Sequence, residues 1–199
     1  MKLIFATKNS GKTRELSKAL KETRFSVESL INQEIEAAPE TGSSFLENAL
    51  IKCKSVSEIT GRPTIADDSG LVVPALNGRP GIYSARYSGP EASDEENVQK
   101  LTHEIRSISD RRAYFFCCLV FMGSSDDPFP IFAQGLWRGE VLDTPAGSGG
   151  FGYDPIFYLP DYGMTAAELP VDLKSSISHR ALAINDFLSL YLKHEENHC

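Results

Sequence analysis

The chain has 199 residues, 41% of them hydrophobic and 24% charged, with a formal net charge of −7. That length predicts residues 1–199 as a single domain, or one domain of two lobes, with enough chain to bury a core. The acidic balance argues against a general nucleic-acid binder, and no run approaches the ~20 apolar residues of a membrane span. The opening MKLIFATKNSGK is too short an apolar run for a signal peptide. Cys53, Cys117, Cys118 and Cys199 form no CxxC pair, which predicts reduced thiols in a cytoplasmic protein. The N-terminal stretch crowds Lys2, Lys8, Lys12, Arg14, Lys18, Lys21 and Arg24 against Glu15 and Glu22. Such a cluster suits a local anionic ligand, or a solvated helix face.

In chain order, Leu3 to Ala6 predicts a strand, and Leu16, Ala19 and Leu20 predict a helix after a polar turn. Ser44 to Glu47 is a capping box opening a helix whose stripe includes Leu46, Leu50 and Cys53, ended by Gly61 and Pro63. Pro63 to Ala66 is the next strand. Ser93 to Glu96 caps a helix carrying Val98, Leu101 and Ile105. Tyr114 to Phe121 predicts a buried strand, with a turn at Gly123 to Pro128 and a returning strand at Phe129 to Ala133. Leu136 to Leu142 and Pro155 to Leu159 are further strands. A last helix from about Ser178 carries Ile184, Phe187, Leu188, Tyr191 and Leu192, and ends in a polar, frayed tail, HEENHC. Helices at the ends and a strand-rich middle predict an α/β fold with a mixed sheet.

Four polar loops carry chemistry. Thr7, Lys8, Asn9, Ser10, Gly11 and Lys12 lie between a strand and a helix, where free amides and the helix dipole attract anions. They form a phosphate cradle, or a plain helix entry capped by Asn9 or Ser10. The loop is not a Walker A motif, because Ala6 stands where that motif needs glycine. Next, Asp67, Asp68 and Ser69 close a strand with the parts for holding Mg²⁺ and orienting a water. The rivals are half of an aspartic-protease pair completed by a dimer, an aspartyl phosphotransferase, or a capped turn. The third loop, GSGGFGYDP, contains GxGxxG but leads into a strand, so it is no dinucleotide fingerprint. It brings Phe151 and Tyr153 to stack on a flat ligand, or simply connects strands. Last, KSSISHR offers Lys174, Ser175, Ser176, Ser178, His179 and Arg180 as donors to a carbonyl-bearing ligand, or as helix-capping residues. Phosphate, metal, aromatic and hydrogen-bonding groups together are what a nucleoside triphosphate requires.

The motifs ATKNSGK, PETG with FLENAL, IADDSGL, GRPGIYSARYSG, GSGGFGYDPIF and KSSISHR resemble, in order, those of the inosine triphosphate pyrophosphatase family of Ham1 or RdgB type. They span residues 6 to 180. Ser148 stands where members commonly carry Thr, and Ala181 where Gly often follows the SHR.

The resemblance implies an elongated mixed central sheet with two α/β lobes and an active-site cleft between them. It implies a Mg²⁺-dependent, cytoplasmic homodimer that converts ITP, dITP and XTP to the monophosphate and pyrophosphate, clearing deaminated purines from the nucleotide pool. No nucleic-acid or membrane partner is expected. By motif, Thr7 to Lys12 hold the triphosphate. Asp68 is the base and a metal ligand, and Glu40 is the second metal ligand. Ser69, Phe151, Gly152, Tyr153, Asp154, Lys174, His179 and Arg180 bind substrate, and Lys52 and Arg86 are further phosphate contacts. Donors around His179 and Arg180 would meet the C6 acceptor of hypoxanthine and xanthine and mismatch adenine. The rival classes are a non-catalytic nucleotide-binding module and a broad NTPase that releases orthophosphate.

Overall fold

A computed structural model describes residues 1–196; the predicted Cys199 thiol lies outside the described residues. The elements in order are β1 (Lys2–Phe5), α1 (Ser10–Ala19), β2 (Ser26–Ser29), α2 (Phe45–Thr60), β3 (Thr64–Val72), α3 (Asp94–Ile105), β4 (Arg112–Met122), β5 (Ile131–Val141), β6 (Phe157–Leu159), β7 (Met164–Thr165), α4 (Val171–Ile177) and α5 (His179–Glu196). The strands form one seven-stranded sheet in the order β2-β1-β3-β4-β5-β6-β7. β1 pairs in parallel with β2 and β3, while β5–β6 and β6–β7 are antiparallel, so the sheet is mixed. The fold is α/β.

The helix starts follow their capping residues. Asn9 Oδ1 accepts the Lys12 amide at 3.0 Å to open α1. Ser44 Oγ accepts the Glu47 amide at 3.2 Å to open α2, and Gly61, with φ 61°, closes it in the left-handed region. Ser93 and Glu96 form a complete capping box at α3.

The chain divides into two compact units: Met1–Asp68, Cys117–Gly135 and the C-terminal stretch from Ser178 form one, and Ser69–Phe116 with Leu136–Ile177 form the other. The divisions fall inside β3, β4 and β5. The first unit buries Leu3, Phe5, Leu16, Ile65, Leu119, Phe121, Ile184 and Phe187. The second packs Leu71, Leu101, Ile105, Trp137, Ile156 and Phe157, with the Phe115 and Phe157 rings 4.6 Å apart.

Several sequence expectations are corrected. Pro63 to Ala66 is only the start of β3, which runs nine residues to Val72. The predicted strands at Phe129 to Ala133 and Leu136 to Leu142 are one strand, β5. Gln134-Gly135 does not break it because α5 lies against Gly135. A Cβ there would collide with the His179 carbonyl and come within 2.6 Å of the Ala183 amide, so only glycine fits. The stripe on α2 is also displaced: Leu46 is exposed, and the buried face is Asn48, Ala49, Lys52, Cys53 and Val56. On α5 the buried stripe keeps Ile184, Phe187 and Tyr191, while Leu192 is exposed.

Candidate active site

Asp67 and Asp68 do not end a strand, as the sequence suggests, but lie in the interior of β3. Alternation along a strand sends neighbouring side chains to opposite faces. Each carboxylate is therefore buried among different helices. Asp67 is 1% exposed and Asp68 4%.

On one face, Asp67 meets α1 and α5. Lys12 Nζ lies 3.1 Å from its carboxylate, and the Arg180 guanidinium donates to Oδ2 through Nη2 at 3.1 Å and Nε at 3.3 Å. Arg180 also pairs with Glu15 on α1. Burial alone would raise the Asp67 pKa, but Lys12, Arg180 and Lys52 hold it well below the usual carboxylate range. For Arg180 burial works the other way, and Asp67 and Glu15 overcome it, holding the guanidinium firmly charged.

On the other face, Asp68 meets α2. Asn48 Nδ2 donates to Asp68 Oδ2 at 3.0 Å, and Asn48 Oδ1 accepts the Gly42 amide at 2.8 Å, tying the carboxylate to the PETG loop. Lys52 Nζ donates to Glu40 Oε1 at 2.6 Å and to the Asp67 carbonyl at 2.7 Å, and lies 3.8 Å from Asp68 Oδ1. The i, i+4 spacing of Asn48 and Lys52 puts both on one helical face. Burial raises the Asp68 pKa; Lys52 opposes this, and repulsion from Glu40 adds to it, leaving a net upward shift. Lys52 is held charged despite burial by Asp67, Asp68 and Glu40.

Among the described residues no group of three or more His, Cys, Asp or Glu side chains could cage a metal ion. Glu40 and Asp68 share Lys52, and their mutual repulsion contributes to the raised Asp68 pKa. Two carboxylates with that surplus of negative charge fit a cation that arrives with phosphate oxygens and water as its remaining ligands.

The loop from Thr7 to Lys12 joins β1 to α1, with Lys8, Asn9 and Ser10 exposed. Thr7 Oγ1 accepts the Asn9 amide at 3.2 Å, Lys8 pairs with Glu36 at 3.5 Å, and Ser10 and Gly11 enter the helix. Both readings of this loop are compatible with what is seen: it is capped by Asn9 and it opens a helix N-terminus. Lys12 reaches inward to Asp67.

The Gly-rich loop belongs to the second unit. Asp154, 3% exposed, accepts the Phe151 amide at 2.8 Å and pairs with Lys174. Lys174 Nζ lies 5.3 Å from the centroid of the Phe151 ring. Gly150, with φ 77°, has no room for a Cβ: it would strike the Asp154 carboxylate and approach Lys174 Nζ to 3.0 Å. The Gly152 amide donates to Asp94 Oδ2 at 2.7 Å.

The stacking expected of Tyr153 is corrected, and Arg180 is engaged by carboxylates of its own unit. Tyr153 does not present its ring for stacking: it is 3% exposed in the core of its unit, and its hydroxyl donates to the Ser84 carbonyl at 2.8 Å. Arg180, 1% exposed, turns its guanidinium to Asp67 and Glu15 rather than outward. The KSSISHR motif is also divided. Lys174, Ser175 and Ser176 lie on α4, which the sequence reading missed, whereas His179 and Arg180 open α5 in the other unit. Ser69 is half-buried in β3, and His179 is buried. Arg86 lies with its guanidinium 5.4 Å from the Tyr83 ring centroid. Sequence reasoning missed Asn48, Glu15 and Asp94. The signal for Asn48 was present: Asn48 and Lys52 recur at helical spacing where an apolar face was expected.

The chain is similar to proteins named dITP/XTP pyrophosphatase. The one from Shigella flexneri is 48% identical over 185 residues, covering 92% of this chain and 94% of that protein. The one from Legionella pneumophila (strain Paris) is 48% identical over 190 residues, covering 94% and 97%. In structure it resembles a HAM1 protein from Coxiella burnetii, with a TM-score of 0.89 at 39% identity over 97% of this chain and 99% of that one. The sequence pattern of the Ham1 family matches residues 3–190, and the chain belongs to that family.

Proposed function

We propose that this chain hydrolyses dITP, XTP and ITP to the nucleoside monophosphate and pyrophosphate, removing deaminated purines from the nucleotide pool. The observation that carries the reading is Asp68: a buried carboxylate with a raised pKa, fixed by Asn48 and set beside Glu40 and Lys52. The names of relatives nearly half identical to it support the substrate class.

Asp68 accepts the proton of the attacking water, and the upward shift in its pKa strengthens it as a base near neutral pH. Asn48 occupies Oδ2, which leaves Oδ1 facing Lys52. Glu40 and Asp68 are the residues that would hold Mg²⁺, which when bound supplies charge neutralisation on the phosphate oxygens. The amides and side chains of Thr7 to Gly11 bind phosphate at the start of α1, with Lys12 adding its charge. Hydrolysis of an anhydride needs in-line positioning and charge neutralisation more than covalent help, so these groups suffice in kind.

Phe151 and Lys174 meet the base, with Gly152 and Asp154 shaping the loop that carries them, and Ser69 and His179 are assigned to the substrate as well. Lys174, anchored by Asp154 beside the Phe151 ring, donates to an acceptor on whatever stacks there. Hypoxanthine and xanthine carry an acceptor at C6 and adenine a donor, so adenine leaves the ammonium opposed. Arg180 holds Asp67 and Glu15 at the start of α5. The working form we infer is a cytoplasmic homodimer, checked by light scattering of the purified protein.

The test is a panel of ITP, XTP, dITP, GTP and ATP with orthophosphate and pyrophosphate both measured, with and without Mg²⁺. The expected result is pyrophosphate from the first three, dependent on Mg²⁺. Orthophosphate as the first product, or equal rates across the panel, overturns the reading.

A further inference from the structure

We propose that Asp94 is a positioning residue that sets the Phe151 ring for the base of the substrate; this rests on the reading that Phe151 meets that base. Asp94 is the first residue of α3, far along the chain from the Gly-rich loop, yet its Oδ2 accepts the Gly152 amide at 2.7 Å. The preceding amide, that of Phe151, is accepted by Asp154 at 2.8 Å. Two successive backbone N–H groups are thus held by carboxylates from two different places in the chain. With both amides fixed, the backbone that carries Phe151 is held, which narrows the directions open to its ring.

The carboxylate is not needed to cap its helix. The start of α3 is already capped: Ser93 Oγ accepts the Glu96 amide at 3.2 Å, and Glu96 Oε2 accepts the Ser93 amide at 2.7 Å. Asp94 is therefore spent on the loop. Nor is the loop wedged in place from that side. A cavity of about 570 Å³, lined by Asp94, Val98, Gln99, Gly149, Gly152 and Pro155 among others, adjoins the loop there. On that side the Asp94 carboxylate reaches the loop by a hydrogen bond beside open space, while the Ala167 carbonyl accepts the Gly149 amide at 3.0 Å elsewhere along it. Gly152, with φ 61°, and Gly150, with φ 77°, add backbone freedom that the two carboxylates remove. Ordering the ring before the substrate arrives lowers the cost of binding it.

Asp94 is exposed, so its replacement leaves the core untouched. The experiment is a double-mutant cycle on Asp94→Ala and Phe151→Ala, with Asp94→Asn as the conservative control, followed by pyrophosphate release from ITP. Binding of IMP, which carries the base, gives the same comparison without turnover. Asp94→Ala should raise KM for ITP and Kd for IMP about 3- to 10-fold with kcat within about twofold, the size of one lost hydrogen bond. Asp94→Asn keeps an acceptor oxygen and should stay within about twofold of the parent. In the Phe151→Ala background the loss of Asp94 should add almost nothing, because its partner in function is gone. An Asp94→Ala effect that persists undiminished in that background, or no effect in the parent, overturns the proposal. Unchanged KM and Kd in Phe151→Ala alone would instead sink the stacking reading on which it rests.

Discussion

The two faces of β3 treat adjacent, equally buried carboxylates in opposite ways. Asp67 is enclosed by Lys12 and Arg180, with Glu15 balancing the guanidinium, and its charged form is stabilised strongly. Asp68 has one amide donor at hydrogen-bond distance, a more distant share of Lys52, and the neighbouring charge of Glu40, and its charged form is disfavoured. A closed, charge-balanced set resists change and suits a structural role. A set short of positive charge holds its carboxylate ready to take a proton or a cation. The difference lies in which helices deliver cations, since the backbone of both residues is the same strand. It fits Asp67 holding α1 and α5 together, and it supports the role proposed for Asp68.

The sharpest way to break that comparison is to remove each charge with the shape retained. Asp68→Asn should lower kcat by about 10² to 10⁴, the range for losing a general base. Its melting temperature should hold or rise, because an unfavourable buried charge is gone. Asp67→Asn should do the reverse. Breaking a buried pair by removing one partner costs about 3–5 kcal/mol, a fall in Tm of roughly 6–20 °C for a chain this long. Thermal melts beside ITP kinetics decide it: if Asp67→Asn melts like the parent, the closed face is not structural.

The same pair shows what could be read from the chain. The capping box at α3, the Ser44 cap of α2 (whose Glu47 accepts the Ser43 amide and so leaves the predicted box half formed), the buried strand at β4 and the end helices were legible because each depends on local residue types at fixed spacing. The place of Asp67 and Asp68 was not, because two acids and a Gly look like the end of a strand. They continue it only because helices from distant parts of the sequence bring Lys12, Lys52, Asn48 and Arg180 to them. The α2 stripe was misread for the same reason: Asn48 and Lys52 are buried for the sake of Asp68, Glu40 and the Asp67 carbonyl, displacing Leu46 to the surface. Tyr153 was expected to stack on a ligand and lies in the core instead, since residue type tells what a group can bind and not which way it faces.

A pH titration of stability sharpens the comparison without changing activity. Asp67 has a folded pKa below its ordinary value of 3.8, so its contribution is present above that value and lost as the pH falls below it. Asp68 has a folded pKa above 3.8, so its contribution has the opposite sign: it is present below 3.8 and lost as the pH rises through the folded value. Urea midpoints from about pH 2 to 7 should therefore show only a shallow net acid limb in the parent, because the two contributions oppose. Asp67→Asn should flatten that limb and Asp68→Asn should steepen it. Identical profiles for the two variants would mean that the two faces are not electrostatically distinct.

The smallest effect expected is on Lys12, which belongs to the closed face by its contact and to the phosphate loop by its position. Lys12→Ala removes one of the cations on Asp67 but leaves Arg180 in place, so stability should fall by only about 1 kcal/mol. If the ammonium also serves the triphosphate, KM should rise by roughly 5- to 10-fold for ITP and GTP alike, since phosphates are common to both. The ITP:GTP ratio of kcat/KM should stay nearly constant. Lys12→Arg keeps the charge and should restore the melting temperature more fully than KM, because Asp67 accepts a guanidinium readily while a longer, planar head carries its charge to a different point than the ammonium does. A KM unchanged in Lys12→Ala would confine Lys12 to the structural face. A shifted ITP:GTP ratio would mean that residues 7 to 12 do more than hold phosphate.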